Sequence, residues 1–340
     1  MATSDEPEIH RLFGLDLASS FPFKSRLSPG AAPSDLRFEC SLEAPPGAAA
    51  AADPGPPVYA SPHRTSAGAS VFSLHRLQDV DLLRYTGVAD FHLGADRIAC
   101  HLLAPEHDYL VELRLLGPVL AYWLERSSVS VLHGSAVAVD GRAAVFLARA
   151  KGGKSSLVAT LMARGHSLLT DDLLAVEPSP DGGFQGRPSY PQMRLWPEQT
   201  ERFLGNSRGL PLVHPAYSKL RIPVGEGGFG RFARRSIPLA AIYLPELRAA
   251  RARPVVEPVS PSAGLVELLR HSFLPRLVEA AGWSARRFGA LSRVAESVPF
   301  RRLAMPDDVG RLEEAGRAVL ADLAALLSSA ERGSGKRARP

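Results

Sequence analysis

The stretch "LARAKGGKSS", residues 147–156, lies between the apolar run "AAVFLA" and the helix-like "KSSLVATLMARG". Set against the phosphate-loop pattern G-x-x-x-x-G-K-[ST], positions 148–155 keep Gly153, Lys154 and Ser155 and put Ala148 at the opening glycine. A strand that ends in a tight turn at the start of a helix aims backbone N–H groups and the positive end of the helix dipole at phosphate. In that setting Lys154 bridges the β and γ phosphates of a nucleotide and the Ser155 hydroxyl reaches Mg²⁺. Lys151, Gly152, Gly153 and Ser156 complete the cradle. The helix expected next carries Leu157, Val158, Leu161 and Met162 on one face and stops at Gly165.

Upstream, "VSVLHGSAVAVDGRAAVFLARA" reads as two buried strands joined at Asp140-Gly141, a hairpin signal. Downstream, "HSLLTDDLLAVEP" reads as a buried strand ending in Asp171 and Asp172. Paired acids in an apolar segment are costly unless a metal or cations compensate them. Phosphoryl transfer needs a carboxylate for Mg²⁺ and, in a kinase, one that accepts the proton of the nucleophile. His133 lies one strand before the loop, where a lone histidine is either a satisfied core residue or part of the site.

The order His133, Lys154-Ser155, Asp171-Asp172 within residues 132–177 resembles the catalytic core of the HPr serine kinase/phosphorylase family and its relatives found beside peptide-modification genes. Weaker likeness extends through "YPQMRLWP", Lys219 and "VPFRRL". The resemblance implies an α/β chain with a P-loop kinase core of the phosphoenolpyruvate-carboxykinase-like fold, using ATP and Mg²⁺. Carried over, Lys154 binds phosphate, Ser155 and Asp172 hold the metal, Asp171 is the general base toward a serine hydroxyl, and His133 stands near the reacting phosphate. Two departures are visible. Ala148 and Lys151 replace loop glycines, and no "LE-x-RG" signature follows Glu177, so reversible phosphorylase activity is not expected. The altered loop leaves a second reading open, a catalytically impaired nucleotide-binding or scaffold protein; a small-metabolite kinase is a third.

Arg194, Lys219 and Arg221 are candidates for a far wall that meets phosphate or an acidic substrate. Trp196 and Tyr190 either join that wall or pack the core. "GEGGFGRFARR" is read as a hairpin connection between the strands "SKLRIPV" and "IPLAAIYLP", with a substrate loop as the alternative.

The remaining chain supplies the frame. Residues 1–127 read as a smaller β-rich lobe, with alternating segments from "IHRLFGLDLASS" to "YLVELRLL" and a mobile Pro/Gly/Ala-rich loop at 43–57. From about residue 111 an apolar helix is expected, broken near Gly117 by Pro118. Residues 128–328 form the expected catalytic domain. It holds helices over roughly 261–281, 284–297 and 306–328 and a strand at "VPFRRLAMP". Residues 329–340, "AERGSGKRARP" preceded by serine, are expected to be a disordered basic tail.

The chain has 340 residues, 45% of them hydrophobic, enough for a large core. Its formal charge is +5, much of it in the terminal Arg332, Lys336, Arg337 and Arg339, so a dedicated nucleic-acid binder is not expected. No apolar run approaches the roughly 20 residues of a membrane span, and the acidic start does not resemble a signal segment, which suggests a cytoplasmic chain. Cys40 and Cys100 have neither the spacing nor the neighbours of a zinc site. Of 40 basic residues only five are lysines, two of them in the opening stretch, where a compact ammonium differs from a planar guanidinium. A peptide or protein substrate encoded nearby is the expected partner, and self-association as a homo-oligomer stays open.

Overall fold

The computed structural model describes residues 6–44, 54–78, 80–215, 217–248 and 253–337, without the side chains of 248 and 330–337. It is a mixed α/β protein with sheets of nine, ten and three strands. Its contacts cluster into two units, Met1–Val129 with Leu274–Arg287, and Ser130–Phe273 with Phe288–Pro340. The segment 274–287, which the sequence suggests is part of the catalytic domain, therefore groups with the N-terminal unit.

In the first unit the alternating stretches form the nine-stranded sheet. Leu74, Leu83, Phe91, Cys100 and Cys40 face one another across five neighbouring strands, while Arg84 and Asp90 pair on the other face. The turn after Leu93 closes as expected, with the Gly94 N–H donating to the Arg97 carbonyl at 2.8 Å. "YLVELRLL" is not a strand. Helix Asp108–Arg114 begins there and continues through Arg126 with a kink at Gly117 (φ −117°, ψ −109°), one residue before Pro118. The run of Leu110, Val111, Leu115 and Leu116 has helical spacing, and all four are buried. Residues 45–53 of the expected mobile loop lie outside the described residues.

The second unit is built on the hairpin Ser135–Val139/Arg142–Phe146, whose turn places Asp140 and Gly141 at φ 47° and 74°. Positive φ at both turn residues matches the twist of the strands. Strand Ser130–His133 precedes the hairpin, so three strands stand where two are expected. Arg142–Phe146 runs parallel to Ile237–Arg248, which runs parallel to Phe300–Pro306. Because side chains alternate along a strand, Ala144 and Phe146 join a cluster with the helix Lys154–Ala163 and the C-terminal helix, while Ala143 and Val145 join one with Leu268, Leu291, Val294 and Val298. The central strands are thus covered on both faces, as their continuous apolar sequence requires.

Three further expectations need correction. "GEGGFGRFARR" is not a hairpin connection: Tyr217–Pro223 belongs to the three-stranded sheet and Ile237–Arg248 to the ten-stranded one. Phe229 and Phe232 pack on the core, and Arg231–Phe232 pairs in parallel with Ser167–Thr170, which holds the segment away from a simple return. The helix expected over 261–281 is two, Pro261–Arg270 and Pro275–Ala280, interrupted where Leu132 bridges Ser272. Helix Leu312–Arg337 continues through most of the expected tail. Once nucleated a helix gains one hydrogen bond per added residue, and no proline intervenes before Pro340. Among the described residues no helix is long and apolar enough to cross a membrane.

Candidate active site

The segment after Phe146 leaves the sheet and turns into the helix Lys154–Ala163 with Gly153 as its left-handed N-cap (φ 82°). No side chain caps this helix, so its first N–H groups and the positive end of its dipole stand at the loop, the arrangement that attracts anions. Lys151 also adopts a left-handed backbone, φ 64°, while Ala148 does not. The alanine therefore sits without strain, and the position that would favour glycine is Lys151. A Cβ at Gly152 would come within 2.8 Å of the Ala148 Cβ, and one at Gly153 within 2.9 Å of Met305 Cε. Close packing against Ala148 and the Arg149 carbonyl requires glycine at 152, and the left-handed backbone favours it at 153.

Lys154 is only 7% exposed. Its Nζ donates to the Ala148 carbonyl at 2.6 Å, approaches the Arg149 carbonyl at 3.4 Å and lies 3.3 Å from His133 Nε2. Burial lowers the lysine's pKa, with Asp172 and Asp171 opposing the drop. With Lys154 as an ammonium, His133 Nε2 accepts, which puts the ring proton on Nδ1, 3.6 Å from Asp172 Oδ1. Burial pushes His133 below the usual histidine range; Asp172 pulls it back and Lys154 adds to the drop. The His133 strand is held by the backbone N–H of His133, which donates to the His271 carbonyl at 2.7 Å.

Asp171 and Asp172 follow directly on strand Ser167–Thr170, at its end as the sequence suggests, and form the turn into Leu173–Pro178. The left-handed Asp172, φ 75°, sends the two carboxylates to different partners. Asp171 accepts from Ser135 Oγ at 2.6 Å, from Ser155 Oγ at 2.9 Å and from the Arg194 backbone N–H at 2.8 Å. Asp172 pairs with Arg194 Nη1 at 2.7 Å. Burial works against its charge, but Arg194, His133, Lys219 and Lys154 outweigh burial and hold the carboxyl below its usual range. Arg194 is in turn pushed up: burial opposes its charge, and Tyr190, Asp172 and Asp171 more than offset it.

These groups border a cavity of about 480 Å³ lined by His133, residues 150–156, Asp172, Arg194, Trp196, Lys219 and, from the far side, Met305, Pro306, Asp307 and Asp308. Lys151, Gly152, Gly153, Lys154, Ser155 and Ser156 are brought together there, as their spacing suggests. Asp171 and Arg221 are not among the lining residues. Arg221 instead approaches the Val213 carbonyl at 3.3 Å. The resemblance implies Ser155 and Asp172 on the metal and Asp171 as base, and the two acids do differ in their contacts here. Ser155 is bonded to Asp171, and Asp172 is the carboxylate that faces the cavity. The physical reason is the left-handed turn at Asp172, which a strand-end reading of the pair does not contain.

Sequence reasoning missed Ser135 and His271. Ser135 lies two residues beyond His133 and is a fully buried hydroxyl in an otherwise apolar hairpin, a usable signal. His271 contributes through its main chain, and nothing in its sequence neighbourhood marks it.

The hard oxygens of Ser155 and Asp171, 2.9 Å apart, suit Mg²⁺, which takes one or two protein oxygens and completes its shell with phosphate and water. Among the described residues no group of three or more His, Cys, Asp or Glu gathers as a metal cage.

No protein-family model matches the chain, and no curated protein matches it by sequence. Among solved structures it is similar to one described as the Hpr(Ser) kinase/phosphatase from Coxiella burnetii, with 14% identity and a TM-score of 0.29, over 60% of this chain and 98% of that one.

Proposed function

We propose that the chain is an ATP-dependent phosphotransferase with a P-loop kinase core of the phosphoenolpyruvate-carboxykinase-like kind, acting on a serine hydroxyl of a peptide or protein encoded nearby and working in the cytoplasm. The observation that carries this reading is the convergence, in one cavity, of an uncapped helix start behind two close-packed glycines, a buried lysine, and a carboxylate beside a histidine.

In this reading the loop N–H groups and Lys154 bind the β and γ phosphates, displacing Nζ from the Ala148 and Arg149 carbonyls. Ser155 and Asp171 hold Mg²⁺, with Ser135 and the Arg194 N–H orienting the Asp171 carboxylate. When bound, the metal neutralises charge on the phosphates. Asp172 is ionised at neutral pH and faces the cavity, so its carboxylate accepts the acceptor's hydroxyl proton; Arg194 and the Nδ1 side of His133 orient it. Against the impaired-scaffold reading stands the fit of Ala148 without positive φ.

The test is transfer of label from γ-labelled ATP to serine-containing peptides encoded beside this chain. Wild type is expected to label a peptide. Asp172→Asn is expected to lose on the order of 10³ in rate while keeping nucleotide affinity, the range for a positioned general base. Lys154→Ala is expected to lose nucleotide binding as well. Full activity in Asp172→Asn with loss in Asp171→Asn would return the base role to Asp171. Absence of ATP binding at millimolar nucleotide would end the kinase reading.

A further inference from the structure

Three of the five lysines in the chain, Lys151, Lys154 and Lys219, line the one cavity described above. The kinase reading gives Lys154 the donor's phosphates to bind; Lys151 stands in the loop and Lys219 on the expected far wall, neither with a defined ligand. The Lys151 Nζ lies 5.9 Å and the Lys219 Nζ 5.6 Å from the centroid of the Trp196 ring. Among the described residues neither ammonium has a carboxylate within ion-pair distance, although arginines nearby do, as Arg194 does with Asp172. They come from separate elements. Lys151 is delivered by the loop on a left-handed backbone that costs a non-glycine residue conformational energy, and Lys219 by the strand Tyr217–Pro223.

Each ammonium is met by the ring's electron-rich face, which answers a full positive charge only in part. An oxyanion bound in the cavity that Lys151, Trp196 and Lys219 all line would supply the missing countercharge, and a contact partly removed from water is the stronger for it. Lysine supplies compact point charges, suited to an oxyanion whose orientation is not fixed by a planar fork. Lys219 is also near enough to Asp172 for its charge to favour the carboxylate. An anion seated on Lys219 would thus lie close to the group that receives the acceptor's proton.

We propose that Lys151, Trp196 and Lys219 form a second oxyanion site, which holds an anionic group carried by the acceptor, so that the hydroxyl phosphorylated has a carboxylate or a phosphate near it. This rests on the kinase reading for the word acceptor; the anion site itself does not.

The experiment is calorimetry on the full chain with inorganic phosphate as the probe, in the presence of saturating ADP and Mg²⁺. Lys151→Met and Lys219→Met keep most of the aliphatic stem and remove the charge. The expected result is that wild type binds phosphate in the ADP complex, and that the double variant loses at least about tenfold of that affinity, as for removal of a charge-assisted contact. Because Lys151 stands in the phosphate loop, ADP affinity is measured in parallel, and a loss of phosphate affinity no larger than the loss of ADP affinity would overturn the site. Phosphate affinity equal in wild type and the double variant would overturn the site. Loss of the preference for ATP over ADP in the double variant would identify the donor's terminal phosphoryl as the occupant and overturn the assignment to the acceptor. If ADP binds neither wild type nor Lys154→Ala, the kinase reading fails; binding of phosphate by the nucleotide-free protein, lost in the double variant, would still support the oxyanion site.

Discussion

Glu125 in the first unit and Lys154 in the second are both buried ions, and their surroundings differ in kind. Glu125 Oε1 lies 3.1 Å from Arg287 Nη2, with the two side chains 4% and 5% exposed. In the same unit, buried Glu112 accepts from the backbone N–H groups of Lys24 and Ser25 and from the Ser25 hydroxyl, and Asp90 is bonded twice over by Arg84. Charge there is answered by charge or by several donors. Lys154 is answered by two carbonyls and a neutral histidine, which burial keeps below its ordinary pKa. A buried ion whose direct partners are neutral acceptors, with the charges of Asp172 and Asp171 acting from farther off, can exchange those acceptors for an anion, whereas a fully paired one is part of the scaffold.

The sharpest way to break this comparison is to remove one ion from each unit. Glu125→Gln leaves the Arg287 guanidinium buried without its countercharge and is expected to cost roughly 3–5 kcal/mol in urea unfolding. The double variant Glu125→Met/Arg287→Met should recover most of that loss. Lys154→Met removes one of the charges that favour the Asp172 carboxylate but leaves its Arg194 pair in place, and is expected to cost less than about 1 kcal/mol, because it also relieves a desolvated ammonium. Equal costs for the two single variants would mean that Lys154 is as structural as Glu125.

A smaller effect separates the two regions by pH. His133 has a folded pKa below the ordinary value of about 6.5. The folded state therefore binds fewer protons than the unfolded one in that range. The stabilising contribution is complete above pH of about 6.5 and is lost as pH falls through the depressed folded value. Protonation would also set His133 beside the Lys154 ammonium as a like charge. Phosphoryl transfer should accordingly be level from pH 8 down to about 6.5 on His133's account, then fall by roughly tenfold per pH unit beneath the folded value. In His133→Gln, which keeps a neutral acceptor, that acid limb should flatten; a limb unchanged in this variant would assign it to another group. Asp172, held low by its cations, cannot account for a limb in the histidine range.

How much of this was legible beforehand follows from how local each signal is. The hairpin at Asp140-Gly141 and the helix after Gly153 are fixed by neighbouring residues, positive φ at the turn and an apolar face at helical spacing, so both were readable. The destination of "GEGGFGRFARR" depends on Phe229 and Phe232 finding a core built from distant segments, which no local pattern encodes. The grouping of 274–287 with the N-terminal unit is non-local in the same way. Within the site, the residue types at 133, 154, 155, 171 and 172 marked the cluster. Which acid faced the cavity depended on a single left-handed residue, Asp172, that pattern reading treated as part of a strand.

Lys151 joins the two halves of the comparison at the smallest scale, because its backbone and its ammonium make opposite predictions. A non-glycine residue at φ 64° carries about 1–2 kcal/mol of left-handed strain. Glycine would relieve it but adds about 0.4–1 kcal/mol of freedom to the unfolded chain. Lys151→Gly is thus expected to gain roughly 0.5 kcal/mol in urea unfolding, while phosphate binding to the ADP complex weakens because one of the two ammoniums at Trp196 is gone. Lys151→Ala keeps the backbone strain and removes the side chain beyond Cβ, the ammonium included, so it should weaken phosphate binding as much without the gain in stability. A loss of stability in Lys151→Gly would mean that the lysine side chain holds the loop together. The pattern of gain in one measurement and loss in the other would instead mark Lys151 as a residue whose strained placement serves a ligand.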